Sequence, residues 1–115
     1  MKKILVIVIL LASVKTFSQN KNAKASIKVD GVCMMCKARI EKASIKTQGV
    51  KSAVWNLETH ELKLIFDERK TNLRSIENNI AAVGHDTENV KAKDEVYNSI
   101  SDCCHYRDPN VVNSH

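Results

Sequence analysis

The 115-residue sequence is poor in the residues that punctuate and decorate a chain: one proline, three glycines, one tryptophan, two tyrosines and two phenylalanines. So few aromatics, with lysines scattered and not clustered, exclude the basic, aromatic-interleaved surface of a nucleic-acid binder. No Ser/His/Asp set, carboxylate pair or glycine-rich phosphate loop stands out, so the expectation is that the protein is not an enzyme. No internal repeat or low-complexity tract is present. The longest apolar run, residues 4–12, holds far fewer residues than the roughly 20 a membrane-spanning helix needs.

That short run has another reading. Lys2 and Lys3 precede it, and small and polar residues follow, with Thr16 and Ser18 placed three and one positions before a cut ahead of Gln19. This is the order of a secretory leader, so residues 1–18 are expected to be a signal peptide, an uncleaved anchor being the other reading. The expected location is the periplasm or, after secretion, the exterior. The leader carries Lys2, Lys3 and Lys15 and no acid, so the net charge of +5 falls to about +2 without it.

The remainder reads as one domain and an extension. Residues 19–24 form a polar linker. Residues 26–30 alternate as a half-buried strand that Gly31 breaks. Residues 33–47 contain no glycine or proline, and Cys36, Ile40, Ala43 and Thr47 share a helical face. Residues 50–57 read as a second strand, with Ala53, Trp55 and Leu57 toward one side. A polar turn over residues 58–61 leads to a third strand carrying Leu62, Leu64 and Phe66. Thr71 is the expected N-cap of a second helix with Leu73, Ile76, Ile80 and Val83 on its apolar face and Gly84 just past its end. Residues 87–92 are a weakly patterned fourth strand, and residues 94–100 a further short helix.

The order strand–helix–strand–strand–helix–strand predicts an α+β, ferredoxin-like split βαβ fold: a four-stranded antiparallel sheet with two helices on one face, plus a C-terminal helical tail. The core, residues 27–90, is expected to close without the tail.

All four cysteines follow the leader, in Cys33-Met34-Met35-Cys36 and Cys103-Cys104-His105. The first pair stands where strand becomes helix. Unpaired N–H groups in a first helical turn favour negative charge, so Cys36 is expected to have a lowered thiol pKa. Thiolates are soft ligands, and two of them suit a low-coordinate ion better than a four-ligand structural zinc site. Two alternatives stay open: a thiol–disulfide oxidoreductase using the pair, and a structural disulfide in an exported protein. The redox reading would want a cis-proline, and the only proline, Pro109, lies in the tail.

The chain from 24 to 92 resembles the heavy-metal-associated domain family of copper chaperones, copper-ATPase N-terminal domains and the periplasmic mercury-binding protein. Cys33-x-x-Cys36, Gly49-Val50 and Gly84-His85 carry the likeness. The resemblance implies the same fold and metal binding by Cys33 and Cys36. The expected ion is Cu(I), with Hg(II), Zn(II) and Cd(II) as alternatives. The expected role is a metallochaperone or scavenger, working in metal transport or detoxification. Its expected partners are the soft metal ion and a membrane metal transporter or another metal-binding domain, with no nucleic acid. It would be a monomer or a metal-bridged dimer.

Two departures matter. Where the family commonly has Gly-Met-Thr/His before the first cysteine, this chain has Asp30, Gly31 and Val32, so Val32, Met34 or Met35 must fill the place of the supporting Met. His85 stands in a loop that approaches the metal in the family, which makes it a candidate ligand or a solvated loop residue. Residues 93–115 form the extension, where Cys103, Cys104 and His105 are candidate ligands, either as an auxiliary site or folded back over the first pair. The competing reading is disulfide pairing. Met34 and Met35 are candidate thioether donors, His60 reads as a surface residue far from the cysteine loop, Trp55 as core, and His115 as a mobile terminus.

Overall fold

A computed structural model describes residues 19–115, so the expected leader, 1–18, lies outside the described residues. The elements are β1 (Ala23–Lys28), α1 (Met34–Lys46), β2 (Val50–Trp55), β3 (Glu61–Phe66), α2 (Leu73–Ala82), α3 (Asp94–Ser99), a 3-10 turn (Asp102–Cys104) and α4 (Pro109–Asn113). No helix among the described residues is long and apolar enough to cross a membrane.

Period-two patterning builds the sheet. Ala23 and Ile27 of β1 and Leu62, Leu64 and Phe66 of β3 are buried while their neighbours face out. β3 is central, antiparallel to both others, in the order β1-β3-β2. β1 begins inside the expected linker, because Ala23 is as buried as the rest of that face. In β2 the register shifts between Val50 and Ser52, leaving Lys51 as an extra residue. The bulge re-phases the strand, so Val50 joins Ala53 and Trp55 against the core. Leu57 does not share that face: the strand ends at Trp55 and Leu57 lies exposed in the turn.

The sheet has three strands, not the expected four. Residues 87–92 contribute a single antiparallel bridge, Thr87 to Val29. The chain there satisfies itself: Thr87 donates its N–H to the Val90 carbonyl at 2.8 Å, and its hydroxyl accepts from Val90 N–H at 3.0 Å. The Lys28 N–H, which a fourth strand would meet with a carbonyl, donates to the Glu88 carboxylate at 2.9 Å.

α1 packs on β2 and α2. Cys36, Ile40, Ala43 and Thr47 are buried, as their spacing predicts. On α2, Ile76, Ile80 and Ala81 face the core; burying each isoleucine contributes about 1.5–3 kcal/mol. The N-cap of α2 is Asn72, not Thr71: its side-chain oxygen accepts from Ser75 N–H at 2.9 Å. Gly84 has φ +106°, the left-handed conformation expected just past a helix. It also allows the tail in, because a Cβ there would lie 2.8 Å from Ile100 Cγ2. The extension therefore belongs to the core, contributing Tyr97, Ile100 and Cys104 to the buried cluster.

Candidate metal centre

The β1–α1 loop carries the first cysteine pair. Trp55 lies beneath it, its ring N–H donating to the Val29 carbonyl at 3.0 Å. Gly31 is required by this close approach: a Cβ there would stand 3.0 Å from both the Trp55 ring and Cys36 Cβ. Val32 is buried, whereas Met34 and Met35 are 64% and 51% exposed, so Val32 is the apolar support of the loop.

Cys33 is the N-cap of α1, its sulfur accepting from Cys36 N–H at 3.4 Å. Cys33 and Cys36 converge with Sγ atoms 3.1 Å apart. A third sulfur joins them: Cys104 Sγ lies 3.0 Å from Cys33 Sγ. Cys103 lies at the exposed edge of this group, 4.0 Å from Cys104 Sγ and 3.8 Å from Met35 Sδ. All four cysteines are unbridged. Cys36 and Cys104 are buried, Cys33 half-buried and Cys103 exposed. The sulfurs of Cys33, Cys103 and Cys104 lie within 4.8 Å of one another, so the structure brings both cysteine motifs together at one place.

The thiols differ in acidity. Burial alone would raise Cys33, but hydrogen bonds from Cys104, Cys36 and the Cys36 and Met35 amides outweigh it and lower the pKa. Cys36 moves the opposite way, burial pushing its thiol up. This corrects the expectation for Cys36: the thiolate-stabilising helix end acts on the capping residue, one turn earlier. Burial, and then donation to Cys33 and Cys36, holds Cys104 far above the ordinary range, with only Arg39 pulling the other way. Cys33 is thus the most acidic of the three converging thiols.

The histidines are placed differently from their expectations. His85 is wholly buried, not solvated. Its Nδ1 lies 2.8 Å from the Asp30 carbonyl and its Nε2 3.1 Å from Arg39 Nη1. Arg39 can only donate, so Nε2 accepts and Nδ1–H donates to Asp30: both nitrogens are engaged away from the sulfurs. Burial lowers its pKa to about 4. His105 lies against Tyr97, ring centroids 4.9 Å apart, and is not among the grouped ligands. His60 is near the cysteine loop, not far from it. The pairing of Lys28 with Glu61 brings the β2–β3 turn beside the end of β1, and Val29 N–H donates to the His60 carbonyl at 3.0 Å. His60 and His115 line a cleft of about 410 Å3 with Cys33 and Met34. His115 is fixed there, its Nε2 3.0 Å from the Cys103 carbonyl.

The extension is anchored by groups that the sequence did not single out. Tyr106 Oη donates to the Gly84 carbonyl at 2.7 Å and accepts from Asp86 N–H at 2.9 Å. Arg107 forks onto the Asp86 carboxylate at 2.8 and 3.1 Å, and burial of Asp86 is outweighed so that its pKa falls. Only the spacing of Arg39, one helical turn beyond Cys36, was a usable signal in advance.

The model of the heavy-metal-associated domain matches residues 26–86, inside the expected span of 24–92. No curated protein sequence matches the chain. Among solved structures, the chain is similar to the CopZ metallochaperone, at 29% identity over 56% of this chain and 98% of that one, with a TM-score of 0.55. It is similar to the N-terminal soluble domains of Bacillus subtilis CopA, at 30% identity over 61% of this chain and 48% of that one, TM-score 0.54. It shares its fold with oxidised MerP from Ralstonia metallidurans CH34, at 23% identity over 57% and 96% of the two chains, TM-score 0.51. The ferredoxin-like α+β fold, the cysteine pair at the start of α1 and the match over more than half its length together establish that the chain belongs to the heavy-metal-associated domain family.

Proposed function

We propose that the protein is an exported, non-enzymatic carrier of one soft metal ion, Cu(I) being the best suited, held between the sulfurs of Cys33 and Cys36. The observation that carries this reading is the convergence of two sulfurs at the N-terminus of α1, one of them already favoured as thiolate. Soft thiolates select Cu(I), Hg(II), Zn(II) and Cd(II) over hard ions, and low-coordinate sulfur favours the first two. The copper proteins named above support copper as the cargo. The order of residues 1–18 supports export to the periplasm or beyond. A half-exposed Cys33 facing an open cleft suits transfer to a membrane transporter or another metal-binding domain.

The test is metal competition on the reduced protein lacking residues 1–18, offered Cu(I) and Zn(II) together, beside an insulin-reduction assay. Preferential uptake of Cu(I) without catalytic reduction is the expected result. Catalysed reduction with weak metal retention would favour the oxidoreductase reading.

A further inference from the structure

The third sulfur lies outside the family match, which ends at residue 86. Cys104 is wholly buried, yet it points its sulfur at Cys33 across 71 positions of sequence. We propose that Cys104 is a third metal ligand, so that the extension converts the two-sulfur loop into a closed three-thiolate site for a trigonally coordinated soft ion such as Cu(I). This rests on the carrier reading above and concerns the same ion.

The geometry argues for a built site. Cys104 does not hang from a loose tail. The 3-10 turn that presents it is closed by Cys104 N–H donating to the Ser101 carbonyl at 2.8 Å. Just beyond, Tyr106 and Arg107 lock the chain onto Gly84 and Asp86. The Arg107 guanidinium also reaches Asp94 and the Ala92 carbonyl and lies 4.2 Å over the Tyr97 ring. Such fixed positioning is what a ligand needs to meet an ion without a large ordering cost. A third thiolate leaves the bound Cu(I) with excess negative charge, and Arg39 on α1, held by His85 and acting on Cys104, is a cation placed to compensate it. The thiol protons still present leave to solvent as the ion binds. Cys103 also lies within 4.8 Å of the Cys33 and Cys104 sulfurs, but it is exposed beside Met35 whereas Cys104 is buried, and the two cysteines are separated by substituting each in turn.

A three-sulfur site retains its ion longer than a two-sulfur one, which places the protein nearer to sequestration than to rapid delivery. The experiment is a count of sulfur neighbours by X-ray absorption at the copper edge. The full mature chain is reduced and loaded with one equivalent of Cu(I), and wild type, Cys104→Ser and Cys103→Ser are compared. Three sulfurs are expected in wild type and Cys103→Ser and two in Cys104→Ser, with Cu(I) affinity at least about tenfold lower in the last. Two sulfurs in wild type overturn the proposal. So do three in a folded Cys104→Ser, whose third sulfur would then come from Cys103, a methionine or a second copy. If Cys104→Ser does not fold, the wild-type and Cys103→Ser counts decide, each taken on protein shown by sedimentation to be monomeric. Failure of the carrier reading looks different: wild type then binds no Cu(I), or Cys33→Ser binds as wild type does.

Discussion

Cys33 and Cys36 are separated by two residues but sit in opposite electrostatic situations. The N-cap sulfur collects hydrogen bonds from the helix start and from its two neighbouring thiols, while Cys36, one turn in, is wholly buried beside Gly31. Alkylation of the reduced protein followed against pH should therefore give a fast phase whose midpoint lies below the ordinary thiol value. That phase should vanish in Cys33→Ser and persist in Cys36→Ser; the reverse pattern would return the low pKa to Cys36. The motif itself was legible from spacing, because two cysteines at a strand–helix junction need no distant partner. The assignment of acidity was not, because it depends on which sulfur caps the helix and on a third sulfur arriving from Cys104. His85 makes the same point. Its engagement with Asp30 and Arg39 follows from packing that no local pattern encodes.

His85 also gives a pH prediction. Above pH 6.5 the ring is neutral in both states, and its pKa falls to about 4 in the folded protein. Between those values the unfolded chain takes up a proton that the native state refuses, so stability declines as pH falls and levels below about 4. The loss is roughly 3 kcal/mol at about 1.4 kcal/mol per unit. Urea denaturation of the metal-free protein from pH 7 to 4 should record it, with a shallower decline in His85→Gln. Equal slopes would place the titrating group elsewhere.

Among the elements, those with a strong period emerged as read. α1, β3 and α2 carry apolar residues at helical or strand spacing, and tertiary packing agrees with each. The misses fall where a side chain substitutes for backbone. Glu88 and Thr87 satisfy groups a fourth strand would have paired, Asn72 outcompetes Thr71 as a cap, and the bulge at Lys51 changes the phase of β2. The distance expected for His60 failed on register alone, since the β2–β3 turn lies at the cysteine-loop end of the sheet. Gly84 is the junction between α2 and the extension, combining a positive φ with the contact to Ile100. Gly84→Ala should cost about 1–3 kcal/mol from backbone strain, with the clash against Ile100 adding to it. Thermal or chemical denaturation measures this; an unchanged midpoint would mean that the junction tolerates a side chain and that the extension docks more loosely than its contacts indicate.

At the scale of the molecule, the extension is the feature least visible in sequence. It lies beyond the matched domain, its helices are short, and its anchor is an ion pair between Asp86 and Arg107 rather than an apolar stripe. Its removal would take Tyr97, Ile100 and Cys104 out of the buried cluster and Tyr106 off the 84–86 loop, so the core reaches beyond the expected residues 27–90. The consequence is a family fold with its cysteine loop roofed by its own C-terminal chain. Whatever the coordination number, the carrier reading requires Cys33 and Cys36 together to hold the ion. Competition titration with a Cu(I) chelator on reduced wild type, Cys33→Ser and Cys36→Ser tests it most directly. One Cu(I) bound tightly per wild-type chain, and nearly abolished in each variant, is the predicted result; undiminished affinity in either variant would contradict it.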